Sequence, residues 1–99
     1  MLEVEYKNTV IKKVCTIASV AERKYGSKMA EKIHQRIDQI KAASSVEEMI
    51  QFRIGRCHPL HHNRQDQFAV DLVHPMRLVF EKKGNDIQIA YIIEITDYH

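Results

Sequence analysis

Ninety-nine residues make one domain, spanning 1–99, with room for a single modest core. A hydrophobic share of 44% beside a charged share of 28% is ordinary for a soluble globular protein, and no apolar run approaches the roughly 20 residues that a bilayer span needs. The opening Met1-Leu2-Glu3-Val4-Glu5 does not read as a secretion signal, so the expected compartment is the cytoplasm, with no membrane partner.

Residues 2–6 alternate enough for a short first strand. Asn8 or Thr9 can cap a helix, because a short polar side chain accepts from the open first-turn amides. Val10, Val14, Ile17, Ala18, Ala21 and Tyr25 then recur at helical spacing, and Gly26 can end that helix in a left-handed backbone. Ser27 can cap a second helix with Met29, Ile33, Ile37 and Ile40 on one face, giving an α-hairpin. His34, on a charged stretch of it, is expected to face solvent. Ser44 or Ser45 can start a further short, acid-led helix.

After Phe52 the period changes to two. Phe68, Val70 and Leu72 alternate in one strand, and Leu78 and Phe80 in the next, with His74-Pro75 as the interruption. Lys83-Gly84-Asn85-Asp86 makes a turn into a final strand over 87–96. Its apolar face is expected to be Ile87, Ile89, Tyr91, Ile93 and Ile95, with Tyr91 in the core. The predicted class is α+β: an N-terminal strand and a helical hairpin packed on one face of a twisted, mainly antiparallel sheet of three or four C-terminal strands. The other face is left for Arg77, the end of the last strand and the loop around His58.

Net charge is only +2, which does not announce a nucleic-acid binder, but the distribution is uneven. Between Phe52 and Arg77 stand Arg53, Arg56, Arg64 and Arg77 with His58, His61, His62 and His74, opposed by Asp66 and Asp71 alone. This segment is a candidate surface for anionic ligands. Cys15 and Cys57 read as reduced and unpaired, Cys15 in the core. Cys57, His58, His61 and His62 offer metal donors within six residues, yet structural zinc sites draw on two separated pairs and no second pair exists. The strongest strand ends in Asp97-Tyr98-His99. Two imidazoles, a carboxylate, a phenol and guanidiniums are the groups needed for metal-free phosphodiester cleavage by proton transfer.

The ordered set Cys57-His58-Pro59-Leu60, Arg64, Phe68-Ala69-Val70, Met76-Arg77-Leu78-Val79-Phe80 and terminal Thr96-Asp97-Tyr98-His99 resembles the HigB toxins, plasmid-maintenance killer proteins of the RelE/ParE superfamily. The resemblance covers the C-terminal half closely and the N-terminal half in helix pattern alone. It implies a type II toxin of a toxin–antitoxin system, a ribosome-dependent mRNA endoribonuclease (mRNA interferase) needing no cofactor. Its implied partners are mRNA in the ribosomal A site, the ribosome, and a helix-turn-helix, HigA-like antitoxin. By position, the resemblance implies His58, Asp97, Tyr98, His99 and Arg77 as catalytic residues. It also gives Arg64 a basic position of the motif, with His61, His62 and Arg56 as further RNA-binding candidates. Where the family places a lysine and a glycine after His-Pro-Leu, this chain has His61 and His62, so phosphate affinity should fall more steeply from pH 6 to 8 than in a lysine-bearing relative. The alternative reading is a catalytically silent or ParE-like toxin that acts by binding a target such as DNA gyrase. The helix cations Lys12, Lys13, Arg23, Lys24 and Lys28 form a plausible docking or ribosome-facing surface, or ordinary solvated charge.

Overall fold

The structure is a computed structural model that describes residues 1–61 and 64–97. Strand β1 (Glu3–Tyr6) leads into α1 (Thr9–Thr16). Helix α1 starts where it does because Asn8 is extended and its Oδ1 accepts from the Ile11 amide at 2.9 Å. It buries Ile11, Val14 and Cys15, one stripe at helical spacing. The single helix expected over this stretch is in fact two. Thr16 turns its hydroxyl back onto the Lys12 carbonyl at 2.7 Å, Ile17 leaves the helical region, and α2 (Ala18–Tyr25) begins at once. The break resets the helical phase, so Ile17 is exposed while Ala21 is buried; Val10, ahead of the break, lies off the buried stripe of α1.

Gly26, at φ 88°, ends α2 and serves itself as the first flanking residue of α3 (Ser27–Ala42). Ser27 is therefore helical and not the cap, because a glycine can adopt the positive φ that this junction needs. Helix α3 buries Met29, Ala30, Ile33, Ile37 and Ile40 as its spacing predicts. His34 is half-buried beside that stripe, a correction to its expected exposure. Helix α4 (Val46–Gln51) is capped by Ser45, whose Oγ accepts from the Glu48 amide at 3.0 Å.

A 3₁₀ turn (Ile54–Arg56) leads to β2 (His58–Pro59), β3 (Gln67–Asp71), β4 (Met76–Lys83) and β5 (Ile89–Asp97). Together with β1 they form one mixed five-stranded sheet in the order β1-β5-β4-β3-β2. The first strand thus lies in the sheet, parallel to β5, while the other neighbours are antiparallel. The helices cover one face, where Val70, Leu72, Leu78, Phe80, Ala90 and Ile92 join the helix stripes in one core. Among the described residues, no helix is long and apolar enough to cross a membrane.

Strand β5 corrects the predicted facing. Val79 pairs with Glu94 and Phe80 with Ile92, so Ile93 is an extra residue, a β-bulge. Before it, Ala90 and Ile92 face the core; after it, Ile95 does. Tyr91 is consequently on the open face, with the Lys83 ammonium 3.8 Å from its ring centroid, and is not a core residue. Ile87 lies ahead of the strand and is exposed.

Candidate active site on the open face of the sheet

Strand alternation sorts the predicted site residues between the two faces. Cys57 is buried in the helix-side core, and His58, the next residue, lies on the open face. His58 pairs with Ala69, Ala69 with Val79, and Val79 with Glu94, so these four make one row across the open face. Ala69 and Val79 are fully buried yet outside the helix-side cluster, so they form a small apolar floor beneath the polar side chains of this row. The next row is Asp71, Arg77 and Thr96, again in direct register. From strand spacings alone, His58 and Arg77 are on the order of 12 Å apart at Cα, two strands over and two residues along.

The backbone leading into β2 is unusual. Arg53, Gly55 and Arg56 all have positive φ, a conformation that costs non-glycine residues and recurs at functional sites. This turn presents Arg56 to Asp71, Nε to Oδ2 at 2.5 Å, and places its carbonyl 2.8 Å from His58 Nδ1. A carbonyl can only accept, so Nδ1 carries the hydrogen. In the neutral ring Nε2 is then the acceptor, and it is the nitrogen left to take up a proton.

Arg77 sends its Nε to Asp71 Oδ1 at 3.5 Å. Asp71 thus stands between two guanidiniums, and its own carbonyl accepts from Arg36 Nε at 2.6 Å. Arg36 crosses from α3 beneath the turn; burial pulls its pKa down against the opposing pull of Asp71. A cleft of about 290 Å³ opens at this end of the sheet, walled by Arg56, Asp71, Leu72, Met76 and Arg77 and by the His74-Pro75 turn.

Arg64 lies on the loop before β3, its Nη2 3.2 Å from Glu94 Oε1, so it joins the open face through an acid. His61 is exposed on the same loop. Asp97 ends β5 opposite Met76, and alternation puts it on the side of Met76 and not of Arg77. His62, Tyr98 and His99 lie outside the described residues. His58, Arg56, Arg64 and Arg77 are therefore brought to one face, while Asp97 is not among them, since it alternates to the Met76 side.

Sequence reasoning missed Glu94, Asp71 and Arg36. Glu94 already alternates away from the predicted apolar face, but its partner Arg64 stands 30 residues away on a loop, so the pair could not be read from the strand pattern. Asp71 was visible as an acid opposing the arginines, and its alternation with Val70 and Leu72 was the available signal. Arg36 gave none, since its partner is a backbone carbonyl 35 residues away. The cysteine-histidine cluster is divided by the sheet itself: burial lifts the Cys57 thiol to about 12, and it points away from His58. Among the described residues no group of three or more acids, histidines and cysteines could hold a metal ion.

No family model and no curated protein sequence matches the chain. Solved structures do. A YoeB/ParE toxin from Agrobacterium tumefaciens superposes with a TM-score of 0.67 at 14% identity, over 99% of this chain and 100% of that one. A YoeB dimer from Staphylococcus aureus gives a TM-score of 0.64 at 19% identity, over 99% and 97%. The chain shares the small α+β fold of these toxins from end to end.

Proposed function

We propose that this protein is the toxin of a toxin–antitoxin pair and cuts mRNA on the ribosome, as the HigB resemblance implies. The observation that carries the reading is the joint placement of His58, Arg56 and Arg77 on the uncovered face of a fold shared with YoeB/ParE toxins.

The chemistry follows from the groups present. The RNA 2′-hydroxyl bonds to the adjacent phosphorus, the P–O5′ bond breaks, and the products are a 2′,3′-cyclic phosphate and a 5′-hydroxyl. His58 Nε2 takes the 2′-proton, because the Arg56 carbonyl holds the hydrogen on Nδ1. Arg77 meets the negative charge that grows on the phosphorane. The leaving oxygen must gain a proton. The resemblance implies His99 as a catalytic residue without dividing acid from base between the two imidazoles; with His58 read as the base, the acid role falls to His99 in this proposal. Strand alternation sets Asp97 on the side of Met76 and not of Arg77; the resemblance implies a catalytic role for it together with Tyr98 and His99. The ribosome positions the message, and such alignment can supply several kcal/mol of barrier lowering. The implied partner that restrains the toxin is a HigA-like antitoxin.

Mapping mRNA ends after induction tests the proposal. Discrete breaks within translated frames, bearing 5′-hydroxyls, support it. Intact messages with a DNA-damage response would instead favour a gyrase-binding, ParE-like toxin.

A further inference from the structure

We infer that Asp71 is a positioning residue that holds Arg56 and Arg77 as a single phosphate-binding pair; this rests on the ribonuclease reading for its consequence, though not for its geometry. Two guanidiniums sharing one wall of a cleft repel each other. Asp71 divides its carboxylate between them, Oδ2 to Arg56 Nε at 2.5 Å and Oδ1 to Arg77 Nε at 3.5 Å. Both arginines meet it through Nε, and a guanidinium held at one edge is oriented for paired hydrogen bonds to a phosphate.

Asp71 is itself held. It is in register with Arg77, and its carbonyl accepts from Arg36 at 2.6 Å. Arg36 is wedged under the turn, where a Cβ on Gly55 would come within 2.8 Å of its Nε. The main chain that carries the carboxylate is therefore fixed between β4 and the α3 arginine, and the side chain itself is held by its ion pair with Arg56. Its Oδ1 is buried and, among the described residues, accepts no hydrogen bond, which makes the Arg77 side of the bridge the loose one. Oδ1 is screened from solvent, so substrate does not touch it, and Asp71 acts through the arginines. Phosphate binding on Arg77 draws the guanidinium into line against this fixed acceptor, as apo contacts in active sites commonly tighten on binding.

The test compares wild type, Asp71→Asn and Asp71→Glu in two measurements. The first is the cleavage rate of mRNA in the ribosomal A site at saturating toxin, together with toxin affinity for ribosomes carrying non-cleavable 2′-O-methyl message. Asp71→Asn should lose about 10²-fold in rate, the scale of a misplacement of about 1 Å, while its affinity holds or rises because a negative charge is gone. Asp71→Glu should recover part of the rate. The second is the arginine Nε–Hε NMR spectrum of the free protein, in which the Arg56 and Arg77 signals should both move in Asp71→Asn and the others stay. Unchanged signals would overturn the pairing, whatever the activity. Wild-type cleavage by Asp71→Asn, or a loss lying wholly in affinity, would overturn the positioning role. Absence of cleavage by wild type would sink the ribonuclease reading, while the NMR measurement still decides whether Asp71 organises the pair.

Discussion

Cys57 stands one residue from His58, yet its thiol should be chemically silent until the protein unfolds. Burial in apolar surroundings raises both Cys15 and Cys57 from an ordinary 9.0 to about 12. The folded state thus binds these protons more tightly than the unfolded chain. Below about pH 9 both states are protonated, and the stability is fully present. Above it the unfolded chain ionises first and stability falls as pH rises toward 12. With two thiols the slope approaches about −2.7 kcal/mol per pH unit, and each thiol is worth at most roughly 4 kcal/mol. Against a total of about 5–10 kcal/mol, that makes the fold alkali-labile. Urea titrations at pH 8, 9, 10 and 11 measure the effect, with Cys15→Ala/Cys57→Ala as the reference. The stability difference between wild type and this variant should shrink steadily above pH 9. A difference that stays constant to pH 11 would refute the reasoning, as would rapid thiol labelling of native protein at pH 8.

Gly55→Ala should cost about 1–2 kcal/mol, because an alanine at φ 59° is strained and its Cβ collides with Arg36; chemical denaturation reads the loss, and unchanged stability would contradict the packing. Glu47 joins α4 to the sheet, accepting from Gln88 at 2.8 Å and Lys82 at 3.0 Å, and these bonds hold its pKa below the usual carboxylate range. Its contribution is present above the ordinary carboxyl pKa and is lost as pH falls through the depressed one. At this exposed site it should be about 1 kcal/mol or less, so Glu47→Gln should be mildly destabilised at pH 7 and equal to wild type near pH 2. Ile33→Ala, by contrast, opens a void in a fully buried site and should cost about 2–5 kcal/mol at any pH, read by the same denaturation midpoints.

Local signals were legible where local chemistry decides the structure. Asn8, Ser45 and the α3 stripe act as their side chains and spacing predict. The alternation of Phe68, Val70, Leu78 and Phe80 identified β3 and β4 because one face of each meets helices. What failed depends on partners far away in sequence. The bulge at Ile93 exists in relation to β4, so nothing within the run of isoleucines reveals which of them turn outward. The pairing of β1 with β5 joins segments some 86 residues apart, which is why the first strand could be found but not placed in the sheet. At the site, the arginines and His58 were recognisable by type and order. The pairing of the arginines with the acids Asp71 and Glu94 became visible when the strands were set in register.

The most direct test of the account is single-turnover cleavage of mRNA in the ribosomal A site by wild type, His58→Ala and Arg77→Ala, with the product termini identified. Wild type should leave a 2′,3′-cyclic phosphate; His58→Ala should be slower by about 10²–10⁴ and Arg77→Ala by about 10²–10³. Cleavage by His58→Ala at the wild-type rate would show that the open face of the sheet is not where the RNA is cut.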